Sequence, residues 1–168
     1  QTNAETAAPD TDMGDDRRAP LTSVGTQPET VVSVVLPEVD NLTVLGDGDA
    51  IPGMFGGDTL ELTLGMFDVL NLETDGFMSD FTGTSVSATK PVAVFIGSEA
   101  SDVPTFPTLA SRLCCADHLE EQVYPVGTLG RNFLLGLTPM RTEAVRAAGA
   151  GVSIPPDGEK EYFRVMAA

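Results

Sequence analysis

Apolar and polar residues alternate most strictly at Thr59-Leu60-Glu61-Leu62-Thr63-Leu64, which sets the three leucines on one face and Thr59, Glu61 and Thr63 on the other. A period of two marks a strand with one buried and one wet face. Upstream, Val31-Val32-Ser33-Val34-Val35-Leu36 is β-branched, short and stopped by Pro37, and predicts another strand. Leu42 to Leu45 predicts a second, ended by Gly46-Asp47-Gly48-Asp49, and the glycine-rich stretch from Ile51 to Gly57 reads as loop. Beyond Gly65 the apolar phase of Phe67 to Leu72 is disturbed, as a bulge or tight turn would produce, and Thr59 to Leu72 reads as a hairpin. Further strands are predicted at Thr84–Ala88 and at Pro91–Ile96, the latter apolar on both faces and expected to be buried. Asn132–Leu137 and Glu161–Met166 also read as strands, whereas alanine-rich Thr142–Gly151 is ambiguous. Helical spacing is confined to Ser111–Val123, through Leu113, Ala116, Leu119, Glu120 and Val123.

Seven or eight short strands against one short helix, punctuated by 17 Gly and 12 Pro, predict an all-β fold, an antiparallel β-sandwich or barrel-like. Leu60, Leu62, Val92, Val94 and Phe95 are expected in its core. Residues 1–29 hold few large apolar side chains, three prolines (Pro9, Pro20, Pro28) and Asp10, Asp12, Asp15 and Asp16 beside Arg17 and Arg18. They read as an acidic flexible arm, leaving 30–168 as the folded module.

The length of 168 residues gives room for one ordinary domain, the default, or two very small ones, and 42% hydrophobic with 20% charged residues is a globular composition. Nine Lys and Arg against 25 Asp and Glu give a formal charge of -16, which repels a phosphate backbone, so no nucleic-acid partner is expected. No run approaches the ~18 apolar residues of a membrane span. The start at Gln1 lacks the basic and apolar blocks of a signal peptide, so the chain as it stands is expected to be soluble, with no transmembrane segment.

His118 is the only histidine, so any Ser-His-Asp or Cys-His chemistry must pass through it. On a helix Cys114 would share its face, giving a thiolate-imidazole pair or half of a metal site, but nothing supplies the other half. The expectation is a buried, hydrogen-bonded structural histidine, with no catalytic residues and no metal. Cys114 and Cys115 are adjacent, and Cα atoms ~3.8 Å apart fall below the ~4.4–6.8 Å usual for a bridged pair. A strained bridge between them, reduced buried thiols and bonds to cysteines outside the chain all stay open. Asp47, Asp49, Asp75, Asp80 and Asp102 invite a calcium reading, but their spacing fails the EF-hand template and acidic turns explain them. Gly46 to Gly57 contains no phosphate-loop pattern, and no cofactor is expected. Asn41-Leu42-Thr43 fits the glycosylation sequon, a pattern too common to decide anything.

Two blocks carry a resemblance. Asp80-Phe81-Thr82-Gly83-Thr84-Ser85-Val86-Ser87-Ala88-Thr89-Lys90-Pro91-Val92-Ala93-Val94-Phe95-Ile96-Gly97 is similar to the D-L-T-G-T-x-V-x-S-x-K-P-V-A-V-F-x-G block of the IgGFc-binding protein N-terminal family. Asp117-His118-Leu119-Glu120-Glu121-Gln122-Val123-Tyr124-Pro125 resembles its D-H-L-x-E-Q-x-x-P. The stretch Thr59 to Leu72 and the closing Glu161 to Ala167 are similar too, so the likeness spans roughly residues 31–168. Two departures stand out. Leu129-Gly130 replaces the family's tryptophan-glycine pair before Phe133, and the cysteine often found after the Phe-x-Gly segment is missing between Ser98 and Leu113.

The resemblance implies a secreted or cell-surface, non-enzymatic module, usually one part of a longer chain, whose motif residues Thr82, Gly83, Thr84, Lys90, Pro91, Val92, Phe95, Asp117, His118, Glu121 and Gln122 build the scaffold. It defines no ligand-contact residues, so Fc binding does not transfer with it. In the oxidising surroundings it implies, Cys114 and Cys115 are expected to be bonded to each other or to another chain. The leading expectation is a binding or adhesion module that recognises a protein or glycan through its loops at 46–57 and 97–110. The alternative is a structural subunit that meets its neighbour through the N-terminal arm or a strand edge. A carboxylate-based hydrolase ranks below both, because no pair of acids stands out.

Overall fold

The computed structural model describes residues 18–48, 50–75, 79–101, 117–149, 161–163 and 165. The chain gathers into two compact units, Gln1–Pro125 and Val126–Ala168. In the first, β1 (Pro20–Gly25), β6 (Val69–Glu73), β8 (Val92–Ser101) and β9 (Asp117–Gln122) form a four-stranded sheet in the order β6-β1-β8-β9. A three-stranded sheet runs β5-β2-β7, from β5 (Thr59–Leu64), β2 (Thr30–Val35) and β7 (Ser85–Ala88). Short β3 (Thr43–Val44) and β4 (Met54–Phe55) pair as a ribbon. Every pairing is antiparallel. This is the all-β sandwich of the sequence reading.

The period of two decides which residues meet between the sheets. Leu21, Ser23 and Gly25 of β1 and Leu70 and Leu72 of β6 are buried on one side, and Thr30, Val32 and Val34 of β2 with Leu60 and Leu64 of β5 on the other. Leu36, Leu42, Val44, Met54 and Phe81 close the remainder of the core. Leu62, Val92, Val94 and Phe95 are half-buried, against the expectation of full burial. Phe95 pairs with Thr22 and Gln122, which places it on the outer face of the four-stranded sheet.

Three connections cross between the sheets at one end of the sandwich, and hydrogen bonds tie them together. Gly25 N donates to Asp68 O at 3.0 Å and Phe67 N to Gly25 O at 2.8 Å, locking the β1–β2 arch to the β5–β6 arch. Val31 N donates to Thr89 Oγ1 and Lys90 Nζ to Pro28 O, which binds in the β7–β8 arch. The stretch from Thr59 to Leu72 is therefore no hairpin, because β5 and β6 lie in different sheets.

Other expectations also change. Pro20–Gly25 is not part of an arm: β1 sits between β6 and β8, so the folded module begins before residue 30. Residues 1–17 lie outside the described residues. Asp117–Gln122, expected to end a helix, is a strand, because β8 offers it a ladder from Phe95 to Ser101. Thr43–Val44 gives the glycine-rich segment a pairing partner in Met54–Phe55. In the second unit Val126–Thr128 is a single 3-10 turn and α1 (Arg141–Ala147) resolves the ambiguous alanine-rich segment as helix. Neither Asn132–Leu137 nor the described residues of Glu161–Met166 form a strand. Cys114 and Cys115, and every expectation for their bonding, fall outside the described residues.

Candidate interaction surfaces

The motif residues of the sequence fall at both ends of the sandwich and along one edge. At the end opposite the arches, Asp80 Oδ1 accepts from Thr82 N at 2.8 Å and Thr82 Oγ1 at 2.7 Å, and Thr84 N donates to Phe81 O at 2.9 Å. The turn inserts Phe81 into the core and needs a left-handed residue, Gly83 at φ 95°, whose missing Cβ would stand 3.3 Å from Pro37. Beside this turn Glu38, Val39, Asp40, Phe55 and Gly56 line an open depression. At the arch end Lys90 and Pro91 act on backbone: Lys90 holds Pro28 O, and Pro91 O accepts from Thr26 Oγ1. Val92 then starts β8 opposite Gly25.

Asp117, His118, Glu121 and Gln122 lie on β9, all exposed. His118 is thus not the buried histidine expected from the sequence. β9 is the last strand of its sheet, and His118 Nε2 stands 3.7 Å from Glu120 Oε2 with both side chains more than half exposed. Leu119 and Glu121 share the inward phase with Ser98 and Ile96, yet they too are exposed, so this edge overhangs the smaller sheet.

The acidic turns use their carboxylates on backbone donors. Asp47 Oδ1 takes Ile51 N, Asp58 Oδ2 takes Phe55 N, and Asp68 Oδ2 takes Gly65 N at 2.7 Å. Among the described residues no three His, Cys, Asp or Glu side chains gather where they could hold a metal ion.

One feature escaped the sequence reading. The β5–β6 arch carries Met66 and Phe67 at its tip, 54% and 75% exposed, with Phe67 at φ 69°. The left-handed region is costly for a bulky residue, by about 1–3 kcal/mol. It is enforced here from both sides, by Asp68 capping Gly65 N and by Gly25 accepting from Phe67 N. Val69, the next residue but one, is also exposed. The signal was available: two bulky apolar residues stand between Gly65 and Asp68, where a turn is predicted and a polar pair would serve better.

A family model, IgGFc binding protein, matches residues 6–168. The chain belongs to the IgGFc-binding family. The match takes in the sandwich, β1 included, and the second unit. The family is one of protein-binding, typically extracellular chains, and no helix among the described residues is long and apolar enough to cross a membrane. No curated protein and no solved structure matches the chain.

In the second unit of this IgGFc-binding chain, Thr138 N and Oγ1 both donate to Glu161 Oε1, and those two bonds hold the Glu161 carboxyl below its ordinary range. Val126, Leu129, Phe133, Leu134, Leu135 and Leu137 are all exposed.

Proposed function

We propose that this chain is a secreted or cell-surface, non-catalytic binding module whose Met66–Phe67 tip engages a protein partner. The observation that carries the reading is Phe67: a large aromatic held out into solvent in a backbone conformation that disfavours it. Strain of this kind persists only where surrounding bonds over-determine it, and exposed aromatics on rigid turns make good interface anchors at small entropic cost. Family membership supports a protein ligand, and the Fc portion of immunoglobulin G named in the family description is the first probe to try.

The test separates recognition from folding. Asn tolerates the left-handed region, so Phe67→Asn is expected to raise stability by about 1 kcal/mol while removing the aromatic. Native and variant chains are compared for binding to immobilised immunoglobulin Fc and to a panel of secreted proteins and glycoproteins that includes mucin. The expected result is binding to a panel member that weakens at least tenfold in Phe67→Asn, the fold being unharmed. Equal binding by both chains, or binding by neither, rejects the tip as the recognition element.

A further inference from the structure

We infer that the chain associates with further copies of itself by adding Asn132–Leu137 of one copy as a strand to the β9 edge of another, an edge left open among the described residues. The proposal uses neither the Met66–Phe67 tip nor its ligand, so each can fail alone.

The donor is a segment with the composition of a strand and, among the described residues, none of its bonds. Phe133, Leu134, Leu135 and Leu137 are 74%, 98%, 57% and 80% exposed, and residues 132–137 pair no backbone group among the described residues. Four large apolar side chains exposed within five residues mark an interaction segment. The acceptor is defined by the ladder. Val123 N donates to Val94 O, so Val94, Ile96 and Ser98 bond to Val123, Glu121 and Leu119, and the N–H and C=O groups of His118, Glu120 and Gln122 point away from the sheet. Asp117 Oδ1 already takes His118 N, which leaves Glu120 and Gln122 as the open positions. On the inward phase Leu119, at 37% exposure, and Val123, at 41%, offer apolar surface for the donor's side chains.

Charge selects a second copy as the occupant. β9 carries Asp117, Glu120 and Glu121, so two β9 edges repel each other. The donor lies between Arg131 and Arg141 with no acid in the interval. The same asymmetry runs through the chain: the first unit holds 4 of the 9 basic and 21 of the 25 acidic residues, leaving -17 there against +1 in the second. Edge and donor are different surfaces of one chain, so each contact joins unlike faces, and a copy that gives its donor to a second can receive one from that copy or from a third.

Two single variants test this. Leu135→Pro removes a ladder donor and disables the strand, whereas Glu120→Pro removes only an outward N–H and disables the edge while sparing the β8–β9 bonds. Sedimentation velocity of the native chain should show association that grows with concentration. Each variant alone should stay monomeric, and an equimolar mixture should form a dimer and stop there, since one intact donor and one intact edge remain between them. Amides of 132–137 should gain protection from hydrogen exchange in the native oligomer and, in the mixed dimer, on the Glu120→Pro copy, and in neither variant alone. A native chain that stays monomeric, variants that still associate, or a mixture that does not pair would each overturn the proposal. A native monomer with 132–137 already protected would overturn it in favour of pairing within one chain.

Discussion

Gly25 leaves no room for a methyl group: a Cβ there would stand 2.3 Å from Gly65 O and 3.1 Å from the Leu64 Cβ. Both are fixed, one in backbone and one in the core, so Gly25→Ala should cost at least the ~1–3 kcal/mol of ordinary overpacking, read as a lower urea midpoint. Its neighbour Ser23 is fully buried, and its Oγ takes no partner among the described residues. Ser23→Ala should therefore stabilise the sandwich by about 1 kcal/mol, and a lower melting temperature would show that the hydroxyl is satisfied after all. Glu161 gives a pH dependence. Its folded pKa is depressed below the usual 4.5 by two bonds from Thr138, so the contact is fully present above that value and is lost as pH falls through the lower folded one. The protection factor of the Thr138 amide, its exchange rate taken relative to the intrinsic rate at each pH, should fall on acidification below pH 4.5, and Glu161→Gln should flatten that dependence. At this scale the sequence was readable where a residue acts locally, as in the turn of Asp80 to Thr84. It misled where the neighbourhood decides: a lone His suggests burial, but His118 stands on an edge strand that nothing described covers.

Among elements, β1 carries the largest discrepancy between appearance and role. Its inward positions are Leu21, Ser23 and Gly25, a tapering series that suits the crowded arch end but looks like linker in one dimension. Only the pairing with β6 from Val69 to Glu73 and with β8 from Val92 to Ile96 makes it a strand. Deleting residues 1–29 should abolish cooperative unfolding, since β6 would lose its described ladder and β8 one of two. Leu21→Ala should cost about 2–5 kcal/mol. β5 was legible because its alternation is strict and half of it meets water. β9 was not: Asp-His-Leu-Glu-Glu-Gln has no β preference, and its extended form comes from the ladder that β8 supplies. Asn132–Leu137 is the converse, a sequence with strand character and no described ladder to join.

Across the whole molecule, a charge of -16 makes the chain repel itself when compact, most strongly in the first unit. Raising monovalent salt from 0.01 M to 0.15 M shortens the screening length from ~30 Å to ~8 Å, so the melting temperature should rise over that range. An unchanged value would mean that the acids are spaced beyond mutual influence. The sheet order has a mechanical consequence. β1 and β9 run in the same direction, with β8 antiparallel between them, and the chain enters at Pro20 beside Gly97 and leaves beyond Gln122 beside Phe95. A tether pulling on the two ends of this unit therefore drags β1 one way and β9 the other along their own axes. The β1–β8 and β8–β9 rows are then sheared as sets, not peeled bond by bond, and a module built in this way can hold on while something pulls.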